Sequence, residues 1–188
     1  AIRLSGVGVN PTRDGVLRIL DRMAPGCVEQ HPAAAGEGAG DEPVADLVAR
    51  HVGRPAGVEV PVDWVPLAID EFPMLMALAA VAEGETVIRG AEELRVKESD
   101  RIAVMTEQLL RLGVSVEERP DGARIRGGAV RGGRVDAGGD HRVAMSLAVL
   151  GLVADSPVDI DSADWIATSY PGFVDDLRAL GADVEVLE

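Results

Sequence analysis

Two segments of the chain are apolar on almost every face of a helix. Residues 70–84 (DEFPMLMALAAVAEG) and 140–154 (DHRVAMSLAVLGLVA) each contain a long run of Ala, Val, Leu and Met. A helix of this kind cannot lie on the surface of a domain, because none of its faces is suited to water. We therefore expect the two helices to pack together in the interior, with sheets and amphipathic helices around them.

Other patterns predict the remaining elements. Apolar residues at helical spacing predict amphipathic helices at 11–24, 99–113 and 170–181. Alternation of apolar and polar residues predicts short strands at 85–90, 115–120, 123–127, 157–161 and 183–188. Residues 33–43 are rich in Gly and Ala, and we expect a mobile loop there. We expect residues 44–50 and 57–60 to form an outer hairpin.

The order of these elements repeats along the chain. Each buried helix is followed by a short strand, a polar loop, an amphipathic helix and a further strand, and the amphipathic helices end at Gly113 and Gly181. The beginning of the chain is similar to a third copy without its buried helix. Residues 1–188 are therefore predicted to form a single α/β domain with internal pseudo-threefold symmetry.

Charged residues fall at equivalent places in the repeats, next to the starts of helices. Free backbone N–H groups and the helix dipole favour anions at such places. If the units share one axis, these helix starts converge at one rim of the domain. The residues are Asp70 and Glu71 at one buried helix, Asp140, His141 and Arg142 at the other, Lys97, Glu98 and Arg101 near the start of 99–113, and Thr168 and Ser169 near that of 170–181.

The string RVKESDR at 95–101 has two interpretations. In the first, Ser99 or Asp100 is a helix N-cap and the charges are solvated. In the second, the string forms a phosphate or carboxylate site. Arg and Lys then bind an oxyanion, and Glu98 transfers protons. Composition alone does not separate the two.

The charged residues at the starts of the two buried helices also have two interpretations, as helix caps or as functional residues. Asp140 fits an N-cap with His141 and Arg142 on the surface, but the end of such an apolar helix has to emerge at a polar place. Asp70 fits a capping role at least as well as a catalytic one. These alternatives also stay open at the level of sequence.

Composition narrows the classes of function. The formal net charge of −14, without a visible basic face, argues against nucleic acid as a partner. A single cysteine, Cys27, excludes an internal disulfide, and three scattered histidines argue against a metal site. No apolar run approaches the roughly 18 residues of a membrane span. The chain opens directly in a predicted strand, without a signal peptide, so we expect a cytoplasmic protein without membrane association.

Several strings together resemble the EPSP synthase family, the 3-phosphoshikimate 1-carboxyvinyltransferases. The resemblance covers essentially the whole chain in the family's order. The UDP-N-acetylglucosamine enolpyruvyl transferases share the architecture, but LRVKESDR is much more similar to the shikimate enzymes. The strings are NPTR (10–13), EPVADL (42–47), IDEFPMLMALAAVAEGET (69–86), ELRVKESDR (93–101), DHRVAMSLAVLGL (140–152) and SYPGF (169–173).

The resemblance implies a fold and a reaction. Members of the family have two domains, each built from three βαβαββ units, and the present chain corresponds to most of the C-terminal one. Shikimate 3-phosphate and phosphoenolpyruvate bind between the domains, and a carboxyvinyl group passes to the 5-hydroxyl of the former. The resemblance leads us to expect no cofactor, a full-length monomer, and no activity from this chain alone.

The resemblance also implies roles for individual residues. Asp70 corresponds to the carboxylate that helps to deprotonate the 5-hydroxyl, and Glu98 to the one that exchanges the C3 proton of phosphoenolpyruvate. The expected substrate-binding residues are Lys97, Arg101, His141 and Arg142. Two positions depart from the pattern. Thr168 stands where many members have a Lys at the phosphoenolpyruvate site. Glu93 stands where some have an Asn that touches shikimate 3-phosphate, and no role is carried over to it.

Overall fold

The computed structural model describes residues 1–33 and 42–187. The predicted mobile loop at 33–43 lies outside these residues except at its ends, so that prediction is untested. The helices are α1 (Gly15–Met23), α2 (Phe72–Ala80), α3 (Arg101–Arg111), α4 (His141–Gly151), α5 (Ile166–Ser169) and α6 (Phe173–Ala179). The strands are β1 (Ile2–Gly8), β2 (Val28–Pro32), β3 (Val44–Ala49), β4 (Glu85–Ile88), β5 (Ser115–Arg119), β6 (Gly122–Arg126), β7 (Gly133–Asp136) and β8 (Val158–Asp161).

The strands form three small sheets, of which the first two share one plan. The first sheet has the order β1-β3-β2 and the second the order β4-β6-β5, with antiparallel neighbours in both. In each, a helix connects the first strand to a hairpin whose second strand lies in the middle. The third sheet contains β7 and β8 in parallel. The repeated α/β architecture predicted from the sequence is confirmed.

The two apolar helices lie in the core. Helix α2 packs against α4, and both pack against α3. Met76 of α2 and Leu147 of α4 are almost completely buried, as are Met105 and Leu109 on the inner face of α3. Each such side chain contributes about 1.5–3 kcal/mol by leaving water. The prediction of two buried helices inside a shell of amphipathic helices and sheets is therefore confirmed.

The predicted outer hairpin of 44–50 with 57–60 is wrong. Strand β3 pairs instead with β1 and β2. Residues 57–60 run parallel to β4, through a bridge between Glu59 and Val87. A Cβ at Gly57 would lie only 2.4 Å from the carbonyl oxygen of Glu85, so this approach requires glycine. The segment therefore enters the second unit, ahead of α2, rather than closing the first.

Strand β7 was not predicted from the sequence, yet it occupies the equivalent place in the third unit. It precedes α4 and pairs in parallel with β8, so β7-α4-β8 repeats the course of 57–60, α2 and β4. Its only deeply buried side chain is that of Val135, which gives too weak an alternation to be recognised. The unit is thus βαβαββ in plan, as the family resemblance implied.

The predicted strand at 183–188 is also wrong for the residues that the structure describes. Residues 183–187 have no assigned strand, and Val186 and Leu187 are exposed. By the repeat, this segment corresponds to β5, which pairs with β6 alone. No equivalent of β6 follows α6 within the described part of the chain, so the alternating sequence has no strand to pair with.

Candidate active site

A buried arginine lies at the centre of the charged helix starts. Arg101 is the first residue of α3, and its side chain is only 1% exposed. Its Nε donates to Asp140 Oδ2 at 2.8 Å, its Nη2 to Glu98 Oε2 at 2.5 Å and its Nη1 to Asp70 Oδ1 at 3.4 Å. One guanidinium thus joins carboxylates from three separate segments of the chain. A planar group with five donors suits this task, whereas a lysine does not.

Asp70 receives positive charge from several sides. It lies in the 3-10 segment Pro66–Glu71, immediately before α2. The nitrogens of Lys97, Arg142 and Arg13 lie 3.7–3.8 Å from its carboxylate oxygens, in addition to Arg101. Neither Asp70 nor Glu71 makes a side-chain capping bond to α2. The capping interpretation of Asp70 is therefore wrong.

Asp140 combines a capping bond with a link between helices. Its side chain is fully buried, and Oδ1 accepts from the backbone amides of Arg142 and Val143 at the start of α4. Its Oδ2 accepts from Ser99 and Arg101. Burial by itself would raise the pKa of Asp140. The hydrogen bonds and charge of Arg101, together with the two amides, outweigh burial and lower this pKa below its ordinary value.

Asp100, another predicted cap, bonds to the start of the helix that follows it. Asp100 caps α3 by accepting from the amide of Ala103 at 3.0 Å. Capping and charge clustering therefore occur together at 95–101, whereas the binding of an anion by this string stays a prediction.

Lys97 lies between two carboxylates. Its Nζ is 2.5 Å from Glu93 Oε1 and 3.8 Å from Asp70 Oδ1. The hydrogen bond that Lys97 donates to Glu93 raises the pKa of Lys97, although partial burial opposes the shift. The lysine side chain is about a quarter exposed, whereas that of Glu93 is mostly exposed. Lys97 is therefore a fixed cation at the edge of the cluster.

The loop that carries Lys97 and Glu98 is fixed to the β5–β6 turn. Arg95 donates from Nε to the carbonyl of Pro120 at 2.6 Å and from Nη2 to that of Arg119 at 2.5 Å. Its Nη1 reaches Asp100 at 2.8 Å. The hydrogen bond with Asp100 is the main cause that raises the pKa of Arg95.

The same turn also holds the start of this loop. The Asp121 carboxylate accepts from the amide of Gly90, and its carbonyl accepts from Ala91. On the other side, a Cβ at Gly122 would lie 2.2 Å from the carbonyl oxygen of Ile88. The turn is therefore confined between β4 and the loop.

Two predicted residues differ in how the structure places them. Arg142 lies about one third exposed, with Nη1 donating to the carbonyl of Asp70 at 3.1 Å and lying 3.9 Å from Glu71. His141 begins α4 and is half-buried, but its ring makes no hydrogen bond or ion pair with the described residues. Arg142 thus joins the cluster directly, whereas His141 is only its neighbour in sequence.

Thr168 and Ser169 do not reach the cluster. They end the short helix α5, which packs on α4, and the Thr168 hydroxyl donates to the carbonyl of Trp165 at 2.6 Å. The Thr168 side chain is thus used within its own turn.

The prediction that helix starts converge at one rim is confirmed for the starts of α2, α3 and α4, but not for residues 168–169 before α6. Asp70, Glu98, Arg101 and Arg142 are connected by the contacts given above. Sequence reasoning missed Arg13, which is mostly exposed and faces Asp70. The string NPTR contains it, but a lone Arg in a polar turn gives no further signal.

The cluster can bind an anion by exchanging partners. Its cations are Arg13, Lys97, Arg101 and Arg142, and each is paired with at least one carboxylate. A phosphate or carboxylate group could take over these cations, which are held in place before it arrives. Arg101 is the exception. Since its guanidinium is buried, an anion would reach it only if Asp70 or Glu98 moved aside. In residues 1–33 and 42–187, no group of three His, Cys, Asp or Glu side chains is placed to hold a metal.

Solved structures identify the class of this fold. An EPSP synthase from Acinetobacter baumannii superposes with a TM-score of 0.91 at 40% identity, over 99% of this chain and 43% of that one. An enolpyruvyl transferase from Streptomyces tendae superposes with a TM-score of 0.71 at 25% identity, over 97% of this chain and 39% of that one. The fold is that of the enolpyruvyl transferases.

Sequence comparison identifies the family within this class. The family model for EPSP synthase (3-phosphoshikimate 1-carboxyvinyltransferase) matches residues 1–177, and the chain belongs to this family. It is 48% identical over 185 residues to the 3-phosphoshikimate 1-carboxyvinyltransferase of Coxiella burnetii and 53% identical over 186 residues to that of Halorhodospira halophila. Each match covers 98% of this chain but only 41% of the relative.

Proposed function

We propose that the chain forms one wall of the active site of a 3-phosphoshikimate 1-carboxyvinyltransferase. Because it spans about 41% of the length of its relatives, the remaining wall would come from a part of the protein outside these residues. We assign the chain to the C-terminal domain, on the order of its motifs. The observation that carries the proposal is the convergence of Asp70, Glu98, Lys97 and Arg142 around Arg101.

The proposed reaction is an addition followed by an elimination. The 5-hydroxyl oxygen of shikimate 3-phosphate attacks C2 of phosphoenolpyruvate while C3 gains a proton. Loss of a C3 proton then expels phosphate and leaves the enol ether. The two substrates are both multiply charged anions, so fixed cations are needed to offset their repulsion.

The charged side chains suit separate steps. Asp70 helps to remove the hydroxyl proton, and Glu98, whose side chain is half exposed, delivers and removes the C3 proton. Lys97 and Arg142 bind the anions. Arg101 orients Asp70 and Glu98 in the free state and contacts phosphoenolpyruvate once they move. His141 completes the set as a substrate-binding residue.

The location and assembly state are part of the proposal. No helix within residues 1–33 and 42–187 is both long and apolar enough to cross a bilayer. The net charge of −14 disfavours binding to nucleic acid. We infer a cytoplasmic enzyme that acts as a monomer when full-length. Light scattering of the full-length protein would check the assembly state.

The decisive experiment measures carboxyvinyl transfer by the full-length protein. Phosphate release with phosphoenolpyruvate should require shikimate 3-phosphate and should not occur with UDP-N-acetylglucosamine. The isolated 188-residue chain should be inactive. Turnover with UDP-N-acetylglucosamine but not with shikimate 3-phosphate would assign the protein to a different group of enolpyruvyl transferases. Binding of phosphate without turnover of either acceptor would indicate an anion-binding module.

A further inference from the structure

Lys97 contacts Glu93, a residue that has no role in the proposed reaction. Glu93 lies four residues before Lys97, in the 3-10 segment Glu92–Val96, and its carboxylate is the nearest group to the lysine nitrogen. Its own side chain is 61% exposed. Among the described residues its side chain makes no other hydrogen bond or ion pair, so its local role is to neutralise Lys97.

This neutralisation opposes the binding of an anion. Asp70 also lies near Lys97, but at 3.8 Å its contact is looser than the 2.5 Å contact of Glu93. A phosphate or carboxylate that approaches Lys97 must compete with Glu93 for the ammonium group and is repelled by the displaced carboxylate. Because Lys97 is mostly covered, that repulsion is only partly screened by water.

We infer that Glu93 lowers the affinity of the site for its anionic substrate. It does so by occupying Lys97 until the substrate arrives. This inference deepens the proposed function and rests on it. The carboxylate also limits product inhibition, since released phosphate has to compete with it again.

The test compares two carboxylates that each pair with a cation four residues later in the chain. Glu93 and Lys97 are spaced i, i+4, as are Glu107 and Arg111 on α3. The glutamates are 61% and 59% exposed, and the pair distances are 2.5 and 2.7 Å. Glu93→Gln and Glu107→Gln therefore remove the same charge from the same kind of pair, but only the first lies beside the proposed site.

In the full-length protein, Glu93→Gln should lower the KM of at least one of the two anionic substrates by about three- to tenfold, and raise neither. The difference from wild type should shrink between about 0.05 and 0.5 M salt, because screening weakens it. Glu93→Asp, which keeps the charge, and Glu107→Gln should both stay near the wild-type KM. Inhibition by inorganic phosphate should become stronger in Glu93→Gln only.

An unchanged or raised KM in Glu93→Gln, or an equal effect in Glu107→Gln, would overturn the inference. If wild-type protein shows no transfer at all, the proposed function fails instead. Calorimetric titration with inorganic phosphate then tests Glu93 independently. Tighter binding by Glu93→Gln supports the inference, and equal or weaker binding overturns it.

Discussion

Two of the three carboxylates that contact Arg101, those of Glu98 and Asp140, have opposite surroundings. Glu98, before α3, is 51% exposed, whereas Asp140, before α4, is 0% exposed. The contact distances are similar, at 2.5 and 2.8 Å. Proximity to the same arginine therefore does not define a role. The exposed group can meet a substrate and exchange a proton, while the buried group, with both oxygens occupied, fixes the geometry.

The largest expected effect is a loss of activity when Glu98 is replaced. Glu98→Gln in the full-length protein should lower kcat by about 10²–10⁴-fold, because Gln keeps the shape but cannot transfer a proton. The KM values should change far less, and the melting temperature should stay close to that of wild type. Steady-state kinetics measures this. A loss of affinity without a change in kcat would exclude proton transfer by Glu98.

The opposite pattern is expected for the buried partner. Asp140→Ala should lower the free energy of unfolding by about 3–5 kcal/mol, because it removes the one fully buried carboxylate that pairs with the buried Arg101, together with its bonds to the start of α4. Urea unfolding of the 188-residue chain measures this. Asp175→Ala provides the control, since Asp175 is 86% exposed in its pair with Arg178 and should cost less than about 1 kcal/mol. Similar losses of unfolding free energy in both variants would show that the burial of Asp140 does not increase its contribution to stability.

The pH dependence of the unfolding free energy provides a second test of Asp140. The pKa of Asp140 is lowered in the folded chain, so its stabilising effect is complete above its ordinary value of 3.8 and is lost as the pH falls through the folded value. The difference in unfolding free energy between wild type and Asp140→Asn should therefore be constant from about pH 7 to 5 and shrink below 3.8. A difference that persists unchanged in strong acid would contradict this.

The smallest effect is expected at the other capped helix. Asp100→Ala should cost about 1 kcal/mol, because it removes an N-cap bond from a carboxylate that is 37% exposed. The same urea measurements apply. A loss as large as that of Asp140→Ala would mean that burial does not distinguish the two caps.

The helices and the repeat could be predicted because their signals are local. Helical periodicity and the glycine at the helix end predicted both ends of α3 to within two residues of the observed ones. Strand partners were predicted less well. Pairing is decided by packing across the molecule, so 57–60 was assigned to the wrong unit and β7 was missed. Alternation at 183–187 predicted a strand without showing whether a partner exists.

The site was predicted in composition but not in arrangement. Charges at equivalent helix starts correctly indicated that Asp70, Glu98 and Arg142 meet. The burial of Arg101 was not predictable, since arginine is mostly exposed unless it is paired, and its partners lie far apart in the chain. Arg13 had no pattern of its own. Such contacts depend on how whole units pack, which no local pattern encodes.

The confined β5–β6 turn has a consequence for the evolution of the chain. Surface hairpins ordinarily tolerate added residues. Here, Gly122 lies against the backbone of Ile88, while Arg95 and Asp121 connect the turn to the segment that bears Lys97. An insertion at 120–122 would therefore shift the segment that bears Lys97 and Glu98. The length of this hairpin should therefore be under selection for activity, and random insertion libraries of an active protein should be depleted there.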